Sequence, residues 1–390
     1  MLAVLFELSG STIVAEEGFR PALPDPGGPE RLGTSVFELT DPERTNGLPG
    51  EDDRGRAISV QVWYPAKAGG TSERAPYLFE AGLLEAMLSE EYLNLSPGTL
   101  EEWGEMRTHA VEDAAIAAMG RRPLLLFSHG FGVARANYTS IVEDLASRGY
   151  IVAVIDHPYL GLMVRSDGRV LSSTKLPQDE EFSLAGGRVR DVAADAVWVL
   201  NRMLGGEGAI GAFARHIDRD RIGMIGHSLG GAAALEICSV DARIRACVNL
   251  DGHPFGAIGE EGVDSPFLAI FSRPAPAGDP LGPMGIERRD LWHQLIAKHD
   301  SPAFLLTIDE TMHLSFGDLH FVVPPDRLQR LGGTIEPNDL SVIVSRALRE
   351  FLARFLDLEG AESLEELAGA YKGVTLETFN DSKTAVGARE

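Results

Sequence analysis

Six consecutive residues, Gly226-His227-Ser228-Leu229-Gly230-Gly231, have the order G-x-S-x-G. A serine hydroxyl becomes a useful nucleophile only when a base takes its proton and the backbone presents it sharply. A strand-to-helix turn does the presenting. It is too tight for side chains two residues either side of the serine, so glycine is needed at both places. The same hexapeptide would also fit a glycine-rich turn with an idle serine. Its setting favours chemistry: the apolar run IGMIGHS (222–228) reads as a strand, and the small residues of 231–238 suit a helix. The serine then projects from the C-terminal end of a strand, where open α/β sheets bind ligands. The free amides of a helix N-terminus lie next to it.

Nucleophilic chemistry on a carbonyl also needs an oxyanion hole, a base and an acid. In such turns one oxyanion donor is the amide after the nucleophile, here Leu229. The second comes from the loop after an earlier strand, here Ser128-His129-Gly130-Phe131-Gly132, with Phe131 as the donor and His129 bracing the loop by hydrogen bonding. The base should follow the last strand. His313, in Thr311-Met312-His313-Leu314-Ser315-Phe316, is within reach of that strand end, and His320 is the other histidine nearby. A neutral imidazole titrating near pH ~6.5 suits a general base. The acid has more candidates. Asp251 directly closes the strand IRACVNLD, while Asp279 lies in a proline-rich loop one strand later, and Asp309 and Glu310 sit close in sequence to His313. A carboxylate that fixes the histidine tautomer belongs on a rigid strand end, which favours Asp251. His157, His227 and His253 read as site-lining or structural.

The elements that must position these residues are legible as a rhythm. Two β-rich stretches, Thr34–Thr40 and Ile58–Tyr64, are separated by a polar turn region and read as a hairpin. Six short apolar runs follow, at 123–129, 151–156, 222–228, 244–251, 266–272 and 303–309. Continuous apolar runs of this length fit strands buried on both faces. Helical patterns lie at 136–148, 188–203, 231–238, 287–299 and 340–356. Strand–helix alternation of this kind predicts a mostly parallel eight-stranded α/β sheet with helices on both faces. Residues 1–33 read as a lead-in, 34–356 as the catalytic domain and 357–390 as a C-terminal extension that is peripheral or partly disordered. An acidic helical insertion at about 77–118 reads as a cap over the active-site mouth. Within it, residues 77–95 put Phe79, Leu83 and Met87 on one stripe but Leu84, Leu88 and Leu95 on another, with no Lys or Arg, unlike an interfacial membrane helix.

Composition excludes several classes. The 390 residues are 44% hydrophobic and 24% charged, which is globular rather than fibrous or disordered. A net charge of −23 argues against nucleic acid or an anionic membrane as a partner. The ten histidines are scattered with no H-E-x-x-H, and only two cysteines are present, so neither a metal site nor a cofactor is expected. GHSLGG lacks the lysine of a phosphate loop. Cys238 and Cys247 are expected on a helix and the following strand as small buried residues rather than as a disulfide. Residues 2–15 are apolar but interrupted by Glu7, with no basic residue before Arg20, which makes a poor secretory signal. A soluble protein, cytoplasmic or exported, is expected.

Taken in order, FSHGFGVARANYTSIVEDLASRGYIVAVIDH (127–157), GHSLGG, LDGHP (250–254) and HLSFGDLHF (313–321) resemble one family, the plasma and intracellular type II platelet-activating factor acetylhydrolases with their bacterial relatives. The resemblance spans roughly residues 32–356 and implies the α/β-hydrolase fold. It implies Ser228 as nucleophile, Asp251 as acid, His313 as base, and Phe131 and Leu229 as oxyanion donors. It further implies calcium-independent hydrolysis of short or oxidised acyl chains at the second glycerol position of phospholipids. This chain departs from the family at Leu229, where an aromatic is usual, and at Gly252-His253-Pro254, a smaller and more polar wall. A general carboxylesterase, or a polyester- or dienelactone-type hydrolase, keeps the same triad with another substrate. A catalytically silent binding protein of the same fold is the non-enzymatic alternative, and the intact Ser228, Asp251 and His313 argue against it.

Overall fold

The apolar runs become strands whose two faces are both covered. The computed structural model describes residues 19–46, 55–67, 73–80, 82–118, 120–173, 185–254, 263–274, 283–324, 328, 333–356 and 363–381. Six parallel strands form the centre: β5 (Arg122–Ser128), β6 (Ile151–Asp156), β9 (Ile217–His227), β10 (Ile244–Leu250), β11 (Phe267–Arg273) and β12 (Ala303–Asp309). The expected hairpin, β1 (Leu32–Asp41) with β2 (Arg56–Pro65), pairs antiparallel and joins the sheet through β6.

The sheet is wider than eight strands. Among the described residues it has eleven, in the order β13-β12-β11-β10-β9-β5-β6-β2-β1-β4-β3. Two of the additional strands, β3 (Arg74–Pro76) and β4 (Arg107–Glu112), flank the helical segment 83–105 at the β1 edge. The third, β13 (Val374–Phe379), comes from the C-terminal extension and pairs antiparallel with β12. Residues 374–379 of that extension are therefore an edge strand of the sheet rather than peripheral or disordered. A separate small hairpin joins β7 (Leu162–Val164) to β8 (Val170–Ser172).

Alternate residues of each central strand face opposite layers, as the two-residue period requires. On one face Leu124, Ala153 and Met224 pack under α4 (Ala185–Gly205), α5 (Leu229–Val240) and α6 (Pro283–Ile296), through Val199, Ile237 and Trp292. On the other, Leu125, Val154 and Ile225 pack under α3 (Thr139–Ser147), through Val142 and Leu145. Two helical segments near the C-terminal end of the sheet follow in the chain, the single turn α7 (Leu319–Val322) and α8 (Pro337–Phe355), and α8 adds Ile343, Ala347 and Phe351 to the same layer. A last helix, α9 (Leu364–Ala370), precedes β13.

The segment read as a cap, 77–118, holds less helix than its sequence suggests. It holds α1 (Leu83–Ser89), a 3₁₀ turn at Tyr92–Asn94 and α2 (Pro97–Glu105), and the chain then becomes strand β4 rather than continuing as helix to 118. Leu83, Ala86, Met87, Tyr92 and Leu95 are buried against Leu319, Val322 and Val323, and Leu84 and Leu88 are partly buried there. Hydrogen bonds complete the docking. Trp103 Nε1 donates to the Val322 carbonyl at 2.8 Å, and the Tyr92 hydroxyl accepts from the Ala134 amide at 2.7 Å and donates to the Asn137 side-chain carbonyl.

The cysteines correct the sequence reading. Cys238 on α5 and Cys247 on β10 are both buried, as expected, but they form a disulfide. The helix packs directly on the strand that follows it, leaving the two Cα atoms 6.5 Å apart, within disulfide reach.

Candidate active site

Ser228 sits between β9 and α5 with φ 55° and ψ −120°, a left-handed conformation that a non-glycine residue adopts only when its surroundings impose it. The imposing contacts are close backbone approaches. A Cβ at Gly226 would lie 2.0 Å from the Gly230 carbonyl oxygen, and a Cβ at Gly230 would lie 2.2 Å from that of Ser128. The two motif glycines thus permit the turn that lifts Ser228 to the mouth of the sheet, where its side chain is half-buried.

His313 follows β12 and opens a 3₁₀ turn, His313–Phe316. Its Nε2 is 2.8 Å from Ser228 Oγ and its Nδ1 is 2.7 Å from Asp251 Oδ2. Its side chain remains about a third exposed, so a substrate can reach it. Asp251, buried at the end of β10, also has a positive φ of 53°. Its Oδ1 accepts from the Ser272 amide at 2.9 Å, and its Oδ2 accepts from the Ser272 hydroxyl at 2.8 Å. Ser272, on β11, therefore fixes the carboxylate plane. Asn249 shapes the turn below, since its side-chain oxygen accepts from the Gly252 amide at 2.6 Å.

The other acid candidates go elsewhere. Asp309 is ion-paired with Arg273. Glu310 is exposed and uses its carbonyl to accept from Thr334 and Ile335. Asp279, like the apolar segment 2–15, lies outside the described residues.

Leu229 directly follows the serine in the chain, and Phe131, in the loop after β5, packs against the cluster that contains Leu229. In the oxyanion loop the Gly132 amide bonds the Leu160 carbonyl at 2.8 Å and the Gly130 amide bonds the Tyr138 hydroxyl at 3.2 Å. Their neighbour Phe131 has no acceptor for its amide among the described residues. Leu229 is the first residue of α5, whose leading amides have no intrahelical partner. His129 braces the loop as expected, its Nδ1 bonding the Gly130 carbonyl at 2.8 Å.

Sequence reasoning did not foresee a second Ser–His–Asp array directly behind the first. Ser128 Oγ is 2.9 Å from His157 Nε2, and His157 Nδ1 is 2.8 Å from Asp195 Oδ2. All three are buried, so no substrate reaches them. Arg56 binds Asp195 in a bidentate fork at 2.6 and 2.8 Å. Burial pushes the Asp195 pKa up, but hydrogen bonds from His157 and Arg56 outweigh it and hold the group at about 2. Through Arg56, Ser128, His157 and Asp195 this array joins β2, β5, the end of β6 and α4. His320, the other histidine near the base, is buried on α7, and His253 is half-buried beyond the Asp251 turn.

With the geometry in place, comparison with known proteins identifies the family. The family model of platelet-activating factor acetylhydrolase, isoform II, matches residues 48–159 and 189–368. The chain belongs to this family. Among curated relatives, the platelet-activating factor acetylhydrolase of Bos taurus is 27% identical over 66% of this chain and 62% of its own length. The chain thus spans less than two thirds of that relative. The Gallus gallus acetylhydrolase is 24% identical over 88% of this chain and 86% of its own. A probable 1-alkyl-2-acetylglycerophosphocholine esterase of Arthroderma benhamiae is 28% identical over 60% of this chain and 59% of its own. A solved ferulic acid esterase from Streptomyces cinnamoneus superposes with a TM-score of 0.73 at 28% identity, covering 91% of this chain and 99% of that one. The fold is that of the α/β-hydrolases.

Proposed function

We propose that this member of the family is a serine ester hydrolase acting on short acyl esters, with the sn-2 acetyl or short or oxidised acyl group of a phospholipid as its substrate class. The observation that carries the reading is one imidazole, that of His313, bridging Ser228 Oγ at 2.8 Å and Asp251 at 2.7 Å in a half-exposed site. Ser228 attacks the ester carbonyl carbon as its proton passes to His313 Nε2. Asp251 holds the Nδ1 proton in place and stabilises the imidazolium. The amides of Phe131 and Leu229 face the developing oxyanion. Collapse of the tetrahedral adduct expels the alcohol, which takes the proton from His313, and water repeats the sequence on the acyl-enzyme.

In this reading residues 34–356 are the catalytic domain, and the segment 77–118 covers the mouth. The family relatives support phospholipid as substrate. Leu229 and Gly252-His253-Pro254 are the positions at which a simple ester would be preferred instead. A rate profile over p-nitrophenyl esters of increasing chain length, together with sn-2 acetyl and sn-2 long-chain phospholipids, tests the proposal. Turnover falling steeply beyond short chains, with the sn-2 acetyl phospholipid among the best substrates, supports it. Fast p-nitrophenyl ester hydrolysis with no phospholipid turnover would make the protein a general carboxylesterase.

A further inference from the structure

The variable residue of the G-x-S-x-G motif, His227, is buried and carries two hydrogen bonds. Its Nε2 is 2.8 Å from the carbonyl oxygen of His313, and its Nδ1 is 2.7 Å from the Tyr138 hydroxyl. A carbonyl can only accept, so the proton sits on Nε2. Burial, and then the neighbouring His313 imidazole, lower the His227 pKa to about 3, so the ring is neutral and its Nδ1 is an acceptor. Tyr138 must therefore donate to Nδ1. Its oxygen in turn accepts from the Gly130 amide at 3.2 Å. Every direction in the chain is set: Gly130 N–H to Tyr138 O–H to His227 Nδ1, and His227 Nε2–H to the backbone of the base.

We propose that Tyr138 and His227 are positioning residues for the reaction, a hydrogen-bonded relay that ties the oxyanion loop to the loop carrying the general base. The proposal rests on the triad reading above. Gly130 immediately precedes the oxyanion donor Phe131. Its carbonyl and the Phe131 N–H share one planar peptide and point in opposite directions, so fixing Gly130 aims the Phe131 amide. Tyr138 fixes Gly130 through its amide and His129 fixes it through its carbonyl. The loop has no room for a side chain there, since a Cβ at Gly130 would lie 2.9 Å from His227 Nδ1 and 3.1 Å from Ser228 Cβ. At the other end, His227 holds the backbone of His313 rather than its ring. The two imidazoles lie 4.8 Å apart between centroids. The nucleophile's own neighbour thus sets where the base and the oxyanion donor stand relative to Ser228.

Tyr138→Phe removes the hydroxyl and keeps the ring contact with Phe127, whose centroid is 4.9 Å away. Misplacement by a fraction of an ångström at a reacting centre is expensive, so kcat should fall roughly 30- to 100-fold with KM changed less than about threefold. Affinity for a trifluoromethyl ketone transition-state analogue should fall in parallel with kcat/KM, a loss that a merely structural role would not produce. His227→Leu should lose at least as much as Tyr138→Phe, and His227→Gln, which keeps an N–H for the His313 carbonyl, should recover part of it. The double variant Tyr138→Phe/His227→Leu should lose little more than the worse single one, because both break one chain. If His227→Leu does not fold, Tyr138→Phe with the analogue decides alone. A folded Tyr138→Phe enzyme with kcat and analogue affinity within twofold of wild type, or losses that multiply in the double variant, would overturn the relay. Ser228→Ala separates the two levels: turnover surviving in that variant defeats the triad reading itself, whereas an inactive Ser228→Ala beside a normal Tyr138→Phe defeats only the relay.

Discussion

Replacing Asp251 by asparagine changes one oxygen to an amide nitrogen, and the structure dictates which one. Oδ1 of Asp251 faces the Ser272 amide, an obligate donor, at 2.9 Å. An asparagine must keep its oxygen there, because the other orientation opposes two N–H groups. Its NH₂ then takes the Oδ2 position, 2.7 Å from His313 Nδ1, and it too can only donate. His313 responds by accepting at Nδ1 and carrying its proton on Nε2, the atom 2.8 Å from Ser228 Oγ. A protonated Nε2 cannot take the serine proton. The Ser272 hydroxyl can rotate to accept from the new amide, so the fold survives. Loss of the correct tautomer in Ser–His–Asp enzymes lowers kcat about 10⁴-fold, equivalent to about 5 kcal/mol of barrier. Initial rates on p-nitrophenyl acetate, with a thermal melt to verify folding, measure it. Asp309→Asn is the contrast: it breaks the ion pair with Arg273 but touches neither Ser228 nor His313, so kcat should stay within about tenfold, or roughly 1.4 kcal/mol. An Asp251→Asn enzyme that is folded and keeps more than about a tenth of wild-type kcat would refute the assignment of the acid.

Acid should weaken the fold through its buried histidines. Burial and then a neighbouring imidazole hold both His129 and His227 at about 3, against an ordinary 6.5. The folded values are the lower ones, so unfolding takes up protons below pH ~6.5, and stability present above that pH is lost as pH falls toward 3. Asp318, raised by burial to about 7, has the opposite sign between pH ~4 and 7 and offsets part of this, while Asp195, held at about 2, adds a further loss below pH ~4. Melting temperature should therefore fall from pH 7 to 4, and a flat profile would contradict the neutral, buried state of the two histidines. The cap should not anchor the protein to lipid, since Leu83, Ala86 and Met87 are buried against the base loop. Substantial pelleting with phosphatidylglycerol vesicles at low salt, abolished by charging Leu84 and Leu88, would show otherwise. Activity should withstand EDTA, because no three His, Cys, Asp or Glu side chains cluster as metal ligands among the described residues; loss on chelation with recovery on adding a metal would count against the serine mechanism.

The central strands were legible because burial on both faces demands unbroken apolar runs, as in Leu124–Phe127 and Phe304–Leu306. The candidate triad was legible because Ser228 and Asp251 stand at the ends of such strands and His313 follows the last one closely. The strands that escaped notice lack that signal. β13, VTLETF, lies at the sheet edge with most of its side chains at least partly exposed, and β4, RTHAVE, alternates only weakly. Both depend on tertiary pairing rather than local pattern. Ser272, Tyr138 and Asn249 support the site through contacts with residues distant in sequence or through a single backbone amide. Tyr138 and His227, for instance, are 89 residues apart, and nothing near Tyr138 announces the bond. The disulfide was missed for the same reason, since nine residues of separation say nothing about whether two side chains face each other.

The central claim is that ester hydrolysis passes through an acyl-enzyme on Ser228. Labelling with a fluorophosphonate probe, followed by peptide mass spectrometry and parallel rate measurements, tests it most directly. One equivalent of label on the peptide containing Ser228, activity lost in proportion to labelling, and neither label nor turnover in a folded Ser228→Ala variant are the results predicted. Label on another residue, or ester hydrolysis that continues at wild-type rate with Ser228 blocked or replaced, would contradict the account.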